Sequence, residues 1–146
     1  MQTLSQNFKV ELPTQMMNER TFTWNIPNDA VQKLVSLDKQ QRIDFFAKLP
    51  MDNVPIGALM DFSRITIDGK GQVSFYITPQ EFHYNPLGTV HGGLAATILD
   101  SCNSISANCQ LDSGFLTMTT DIRVNYLRPT PVSTGKLLQQ LQLKKL

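Results

Sequence analysis

The most regular pattern of apolar and polar positions lies at residues 115–127, where Leu116, Met118, Thr120, Ile122, Val124 and Tyr126 alternate with Thr117, Thr119, Asp121, Arg123 and Asn125. A period of two predicts a long strand with one apolar and one polar face. The run Arg128-Pro129-Thr130-Pro131 ends it. A second pattern precedes it. Leu94, Ile98, Cys102, Ile105 and Cys109 follow one another at spacings of four, four, three and four, which marks one face of a helix over residues 91–109. Gly92, Gly93, Ala95 and Ala96 keep the first turns of that helix thin, so a sheet can approach closely. Upstream, "IGALMDFSRITIDGKGQVSFYIT" predicts two strands from Ile56 onward, joined at Asp68-Gly69-Lys70-Gly71, with Val73, Phe75 and Ile77 on one face.

The ends are less regular. Asn28 and Asp29 offer a cap for a helix over "AVQKLVSL", and "DKQQRIDFFAK" from Asp38 predicts a second short helix, stopped at Leu49-Pro50. Residues 1–27 are irregular and polar, with the single Trp24. We therefore divide the chain into an N-terminal extension, 1–55, and a second unit, 56–146. After Pro131, "GKLLQQLQLKKL" starts another element. Leu137, Leu141 and Leu143 share one side of a strand, although the composition also suits a helix.

Composition changes this picture only by exclusion. The 146 residues and 41% apolar content fit a domain that buries its own core. A net charge of +1 without a basic block argues against a nucleic-acid or membrane surface. The absence of a long apolar run or a signal-like N-terminus gives a cytoplasmic expectation. Cys102 and Cys109 are seven apart in the helix, too far for a two-cysteine metal knuckle. They read as buried small apolar residues in a reducing compartment.

Candidate chemistry concentrates in "NPLGTVHGGLAATILD", residues 85–100. Asn85-Pro86 begins a turn and Gly88 permits unusual backbone angles. His91 and the glycines then sit at a helix start. The amides there lack internal partners and carry the positive end of the helix dipole, and glycine lets a ligand reach them. A carbonyl oxygen gaining negative charge would be stabilised at such a point. Asp100 follows His91 by nine residues, roughly 13 Å along the axis. One chain cannot bring this carboxylate to a carbonyl held at its own helix start. A second copy with its helix antiparallel could, so the spacing suggests a site shared between two subunits. Taken alone, a His-Gly-Gly turn is more often a plain helix entry and a mid-helix aspartate is usually solvated or hydrogen-bonded. His83 reads as a surface loop residue, and Asp121 with Arg123 as a strand-face ion pair or interface contacts. No Lys-Ser/Thr follows the glycines, so they form no phosphate cradle.

"NPLGTVHGGLAATILDSC" followed by "TMTTDIRVNYLRPTP" resembles the hotdog-fold thioesterases of the phenylacetate-pathway type, over about residues 56–143. The resemblance implies an α+β hotdog fold, an antiparallel sheet wrapped around a long central helix. It also implies a homodimer, often doubled to a homotetramer, and hydrolysis of acyl-coenzyme A thioesters without metal or cofactor. By the same resemblance Asn85 positions the water or the substrate, and His91 lies near the thioester. The Gly92 amide polarises the carbonyl, Asp100 acts as general base or nucleophile, and Thr119 orients the water. Gly93 and Arg128 fall in the two matching runs as substrate-binding positions. Asp100 and Thr119 would face the other residues from the opposite subunit. Members of that family continue for about two further strands beyond the position of Leu143. Their absence predicts a gap in the sheet and an open edge at 115–127, unless the Leu-rich tail "LLQQLQLKKL" compensates. Two other readings remain. One is a non-catalytic acyl-CoA or acyl-carrier binding protein, or a defective remnant. The other is a dehydratase, for which the paired histidine and acid expected on facing segments are lacking.

Overall fold

In a computed structural model of the chain, residues 29–51, 54–62, 64–131, 133 and 137–140 are described. Expectations for Trp24 and the rest of 1–27, and for Leu141 and Leu143, lie outside them. The elements run α1 (Ala30–Ser36), α2 (Lys39–Lys48), α3 (Pro55–Leu59), β1 (Arg64–Ile67), β2 (Val73–Ile77), a 3-10 turn (Glu81–His83), α4 (Gly92–Asn108) and β3 (Leu137–Gln140). The strands form one antiparallel sheet in the order β1-β2-β3, with Ile67 opposite Val73 and Ile77 opposite Leu137. Helix α4 lies against β2 and β3.

The core follows from two periodicities. Val73, Phe75 and Ile77, alternate residues of β2, are almost fully buried. They meet Leu94, Ile98 and Cys102, the apolar face of α4, together with Met51 and Phe62. The Phe62 and Phe75 rings are 5.2 Å apart. The β1–β2 turn is closed by Asp68, whose carboxylate accepts from the amides of Lys70 and Gln72. Gly71 has φ +76°, and a β-carbon there would lie 2.5 Å from Gln110 Nε2. Only glycine lets this tip dock on the end of α4, where Ser106 Oγ donates to Gly71 O at 2.8 Å.

Capping separates the two N-terminal helices. Asp38 forms a capping box with Gln41 at the start of α2, whereas Asp29 makes no side-chain cap on α1. Helix α2 packs on β1 and α4. Its attachment is Arg42, fully buried, which donates to the carbonyls of Leu37, Val35, Asn108, Asp112 and Phe115.

Three expectations need correction. Residues 56–59 belong to the short helix α3, with Pro55 in its first turn, not to a strand. A proline there lacks an N–H the helix would leave unpaired anyway, and its fixed φ suits helix entry. His83 is buried in the 3-10 turn and is not a surface residue; its Nδ1 accepts from the Gln80 amide at 2.9 Å. The third correction concerns 115–127, which joins no ladder among the described residues. It runs along α4, fastened by side chains. The Thr117 amide donates to Asn108 Oδ1, Thr119 reaches Ser104 and Asp100, and Tyr126 reaches Gly92. Thr119 and Tyr126 are seven apart, an odd number, so one straight strand face cannot make both contacts. The threonines turn to the helix while Met118 and Leu127 are 88% and 90% exposed. Alternation was enough to predict an extended chain. Pairing needs a neighbour on the sheet, which alternation does not supply.

Both cysteines are buried. Burial pushes the Cys102 thiol from 9.0 to about 12 and Cys109 to about 11, the latter partly offset by the nearby Arg42 charge. Reaction needs the thiolate, so a thiol reagent at pH 8 is expected to leave both unmodified in the native protein and to modify both after unfolding. Rapid native labelling would contradict the packing. A raised thiol pKa contributes stability that is intact below pH 9.0 and declines as pH rises through about 11 and about 12.

Candidate active site

The loop before α4 is shaped by Asn85. Its Oδ1 accepts from the amides of Leu87 at 2.9 Å and Thr89 at 3.2 Å, and its Nδ2 donates to Thr89 Oγ1 at 2.8 Å. Gly88, at φ +72°, completes the turn. An isolated bridge joins Tyr84 to Val90, and another joins Thr89 to Pro131. The His91 amide donates to His83 O at 2.9 Å. The predicted turn is therefore a small stitched hairpin that delivers His91 to the helix start. Most of the hydrogen-bonding capacity of the Asn85 side chain is used within its own loop, leaving one Nδ2 hydrogen.

His91 is the N-cap of α4, and its Nδ1 accepts from the Gly93 amide at 2.9 Å. A neutral imidazole accepting at Nδ1 carries its proton on Nε2. The Gly93 amide is thereby occupied, and the Gly92 amide has no acceptor among the described residues. Tyr126 Oη donates to Gly92 O at 2.8 Å. A groove of about 400 Å³ opens here, lined by Ile77, Val90, Leu94 and Ile98 on one side and by Tyr126, Leu127 and Arg128 on another.

Two turns along α4 lies a second group. Thr119 Oγ1 donates to Asp100 Oδ1 at 2.6 Å, a short bond of the charge-assisted kind. Ser104 Oγ lies 3.1 Å from Thr119 Oγ1. The single threonine proton goes to the carboxylate, so Ser104 donates to Thr119. The relay Ser104 to Thr119 to Asp100 leaves Asp100 Oδ2 without a donor among the described residues. An open cleft of about 510 Å³ adjoins it, bounded by Ala96, Thr97, Thr120, Asp121 and Ile122. Asp121 and Arg123 pair at 3.4 Å, largely exposed, an arrangement worth little energetically.

The seven candidate residues thus fall into two sets. Asn85, His91, Gly92, Gly93 and Arg128 gather around the helix start, and Asp100 and Thr119 meet further along α4. Gly92 and Asp100 are eight residues apart, roughly 12 Å along the axis, so the chain does not itself bring the two sets together. Ser104 and Tyr126 were not singled out from the sequence. Ser104 carried a usable signal, a hydroxyl one turn after Asp100 on the same face. Tyr126 carried none, because its contact depends on the path of 115–127.

Residues 87–138 match the sequence profile of the thioesterase superfamily. Mouse acyl-coenzyme A thioesterase 13 is 36% identical over 66 residues, 42% of this chain and 46% of that protein. The human protein of the same name is 28% identical over 75 residues, 51% of this chain and 53% of its own length. The chain spans about half the length of the curated relatives it matches. No solved structure matches it. No helix among the described residues is long and apolar enough to cross a membrane. Residues 87–138 are thus similar to the thioesterase superfamily, and the long α4 packed on an antiparallel sheet is an α+β arrangement of the hotdog kind.

Proposed function

We propose that this chain hydrolyses acyl-coenzyme A thioesters to a carboxylic acid and coenzyme A, in a cytoplasmic homodimer or homotetramer of the phenylacetate-pathway type that serves fatty-acid metabolism. The observation that carries the reading is the bond from Thr119 to Asp100 on α4, the helix whose first amide, that of Gly92, has no acceptor among the described residues. The similarity to acyl-coenzyme A thioesterase 13 supports the substrate class. In this reading residues 1–55 are an extension attached through Arg42, and 56–146 form the thioesterase domain.

The chemistry follows from the two sets of groups. Asp100 of one copy takes a proton from water as the oxygen attacks the thioester carbon, and Thr119 holds the carboxylate in place. The carbonyl oxygen becomes an oxyanion and accepts from the Gly92 N–H of the other copy, where the helix dipole adds to the hydrogen bond. His91 and Asn85 flank the carbonyl, and Gly93 and Arg128 line the approach. The tetrahedral intermediate collapses by breaking the C–S bond. The proton held by Asp100 passes to the departing sulfur, so the products are the acid and the thiol.

Release of free thiol from a series of acyl-coenzyme A esters by the purified chain tests this. Turnover that depends on Asp100 supports it. Saturable binding without turnover would replace it with the acyl-CoA binding reading.

The shared site has its own test. Inactive Asp100→Ala protein mixed with inactive Gly92→Pro protein is expected to regain activity as subunits exchange, because each mixed dimer holds one site with both groups. Proline removes the amide donor at the first residue of α4, where His91 already has the extended φ −66°, ψ 132° that a following proline demands; its β-carbon would press on the Tyr126 ring at 3.1 Å, so a melt must accompany the test. Absence of recovery, with both variants folded and heterodimers demonstrated, would assign the site to one chain.

A further inference from the structure

Gly92 does not need to be glycine for its backbone angles. Among the described residues the glycines with positive φ are Gly71, Gly88 and Gly114, and Gly92 is not one of them. The constraint comes from Tyr126. A β-carbon at residue 92 would stand 3.1 Å from Tyr126 Cζ and 3.2 Å from Cε1 and Oη. The ring lies where a side chain of residue 92 would begin. Its hydroxyl donates to Gly92 O at 2.8 Å. That carbonyl is in the first turn of α4, where it also serves a helical amide, so the tyrosine is a second donor and not its sole partner. Such a bond adds little to satisfying the carbonyl. It holds the Gly92–Gly93 peptide, and through the Gly92 backbone it steadies the preceding His91–Gly92 peptide, whose N–H has no acceptor among the described residues.

Tyr126 also belongs to the groove. It lines the same cavity as Gly92, together with Leu94 and Ile98, and is 58% exposed. The ring, with its hydroxyl bonded to Gly92 O, forms part of the groove wall beside the Gly92 amide. Its neighbours Leu127 and Arg128 continue that wall.

We propose that Tyr126 is a positioning residue for the Gly92 amide: its hydroxyl fixes the Gly92–Gly93 peptide, the unit next to that amide, and its ring crowds the space where a side chain of residue 92 would begin. The proposal rests on the hydrolase reading given above. Its consequence is that the tyrosine acts on the transition state more than on ground-state binding, because an oxyanion donor counts only when charge develops.

Two measurements test it. Tyr126→Phe keeps the ring and loses the hydroxyl. The expected result is a fall in kcat of about tenfold with KM unchanged within about twofold, the pattern of a displaced transition-state donor. An unchanged kcat, or a rise in KM with kcat unchanged, overturns the positioning role. The second measurement is a thermal-melt cycle with Gly92→Ala, Tyr126→Ala and the double variant, which needs no activity. The alanine methyl is expected to lower the melting temperature beneath the tyrosine ring and to cost little once the ring is gone, so the shifts should not add. Additive shifts overturn the contact as the reason for glycine. An unmodified protein that hydrolyses no acyl-coenzyme A would overturn the hydrolase reading and the positioning role with it, while the melt cycle would still decide the contact.

Discussion

Asp100→Asn is expected to lower kcat by roughly 10²–10⁴-fold, the range for loss of a general base, with little change in KM or melting temperature. The geometry makes this substitution unusually clean. Thr119 donates to Asp100 Oδ1 at 2.6 Å, and an asparagine carbonyl oxygen at the same place accepts the same proton. The Ser104–Thr119 link is likewise kept. What disappears is the second carboxylate oxygen, the one without a donor among the described residues, on a side chain that lines the open cleft. An amide nitrogen there cannot take a proton from water. Steady-state kinetics on the best acyl-coenzyme A, with a melt as control, decide the matter. A variant within a fewfold of the parent rate would remove Asp100 from the mechanism. A variant that is slow because it melts early would point to a structural carboxylate instead. Thr119→Val is the companion measurement. It leaves the base but frees its orientation, so its loss should be smaller than that of Asp100→Asn.

How much of this was legible beforehand depended on whether the information was local. The buried face of β2 and the buried stripe of α4 were both readable, because alternation and a spacing of three or four residues are fixed by backbone geometry. The turn at Asp68–Gly71 was readable because its side-chain bonds are made within five residues. The candidate residues were readable as a motif, and the separation of Gly92 from Asp100 followed from helix rise. What failed was non-local. The segment 115–127 announced extension without saying what it would lie on, and in the structure α4 takes the place of a sheet neighbour. His83 stood in a loop bounded by prolines, with no periodicity to show that the 3-10 turn would bury it. Pro55 did carry a helix-start signal, but a strand-like run beyond it outweighed a helix of five residues.

The largest expected effect on stability belongs to a residue that no pattern along the chain marks. Arg42 and Phe46 lie one turn apart on α2 and are both buried, but nothing near Arg42 in the chain reveals that its partners are 66 to 73 residues away. Its guanidinium gathers five carbonyls: Leu37 and Val35 before α2, Asn108 at the end of α4, and Asp112 and Phe115 in the loop beyond. The end of α4 carries unpaired carbonyls and the negative end of the helix dipole, so a cation is favoured there. Arg42→Met removes the charge and leaves buried acceptors without donors, at about 1–3 kcal/mol for each one that water cannot reach. A net loss of about 3–5 kcal/mol is expected, as for breaking a buried charged contact. That is a large share of the stability of a domain this size, and it corresponds to a fall in melting temperature of roughly 10–15 °C. Arg42→Lys is expected to recover only part of the loss. An ammonium has three donors and no planar fork, and cannot reach five carbonyls spread around a guanidinium. The effect should extend to the candidate site. The 2.7 Å bond to Phe115 O holds the chain four residues before Thr119, so freeing it loosens the segment that orients Asp100. Arg42→Lys should therefore lose activity at temperatures where it remains folded. A melting temperature within about 3 °C of the parent for Arg42→Met, about 1 kcal/mol at this size, would mean that water or neighbouring donors satisfy those carbonyls and that the N-terminal helices are not fastened to the end of α4 through this side chain.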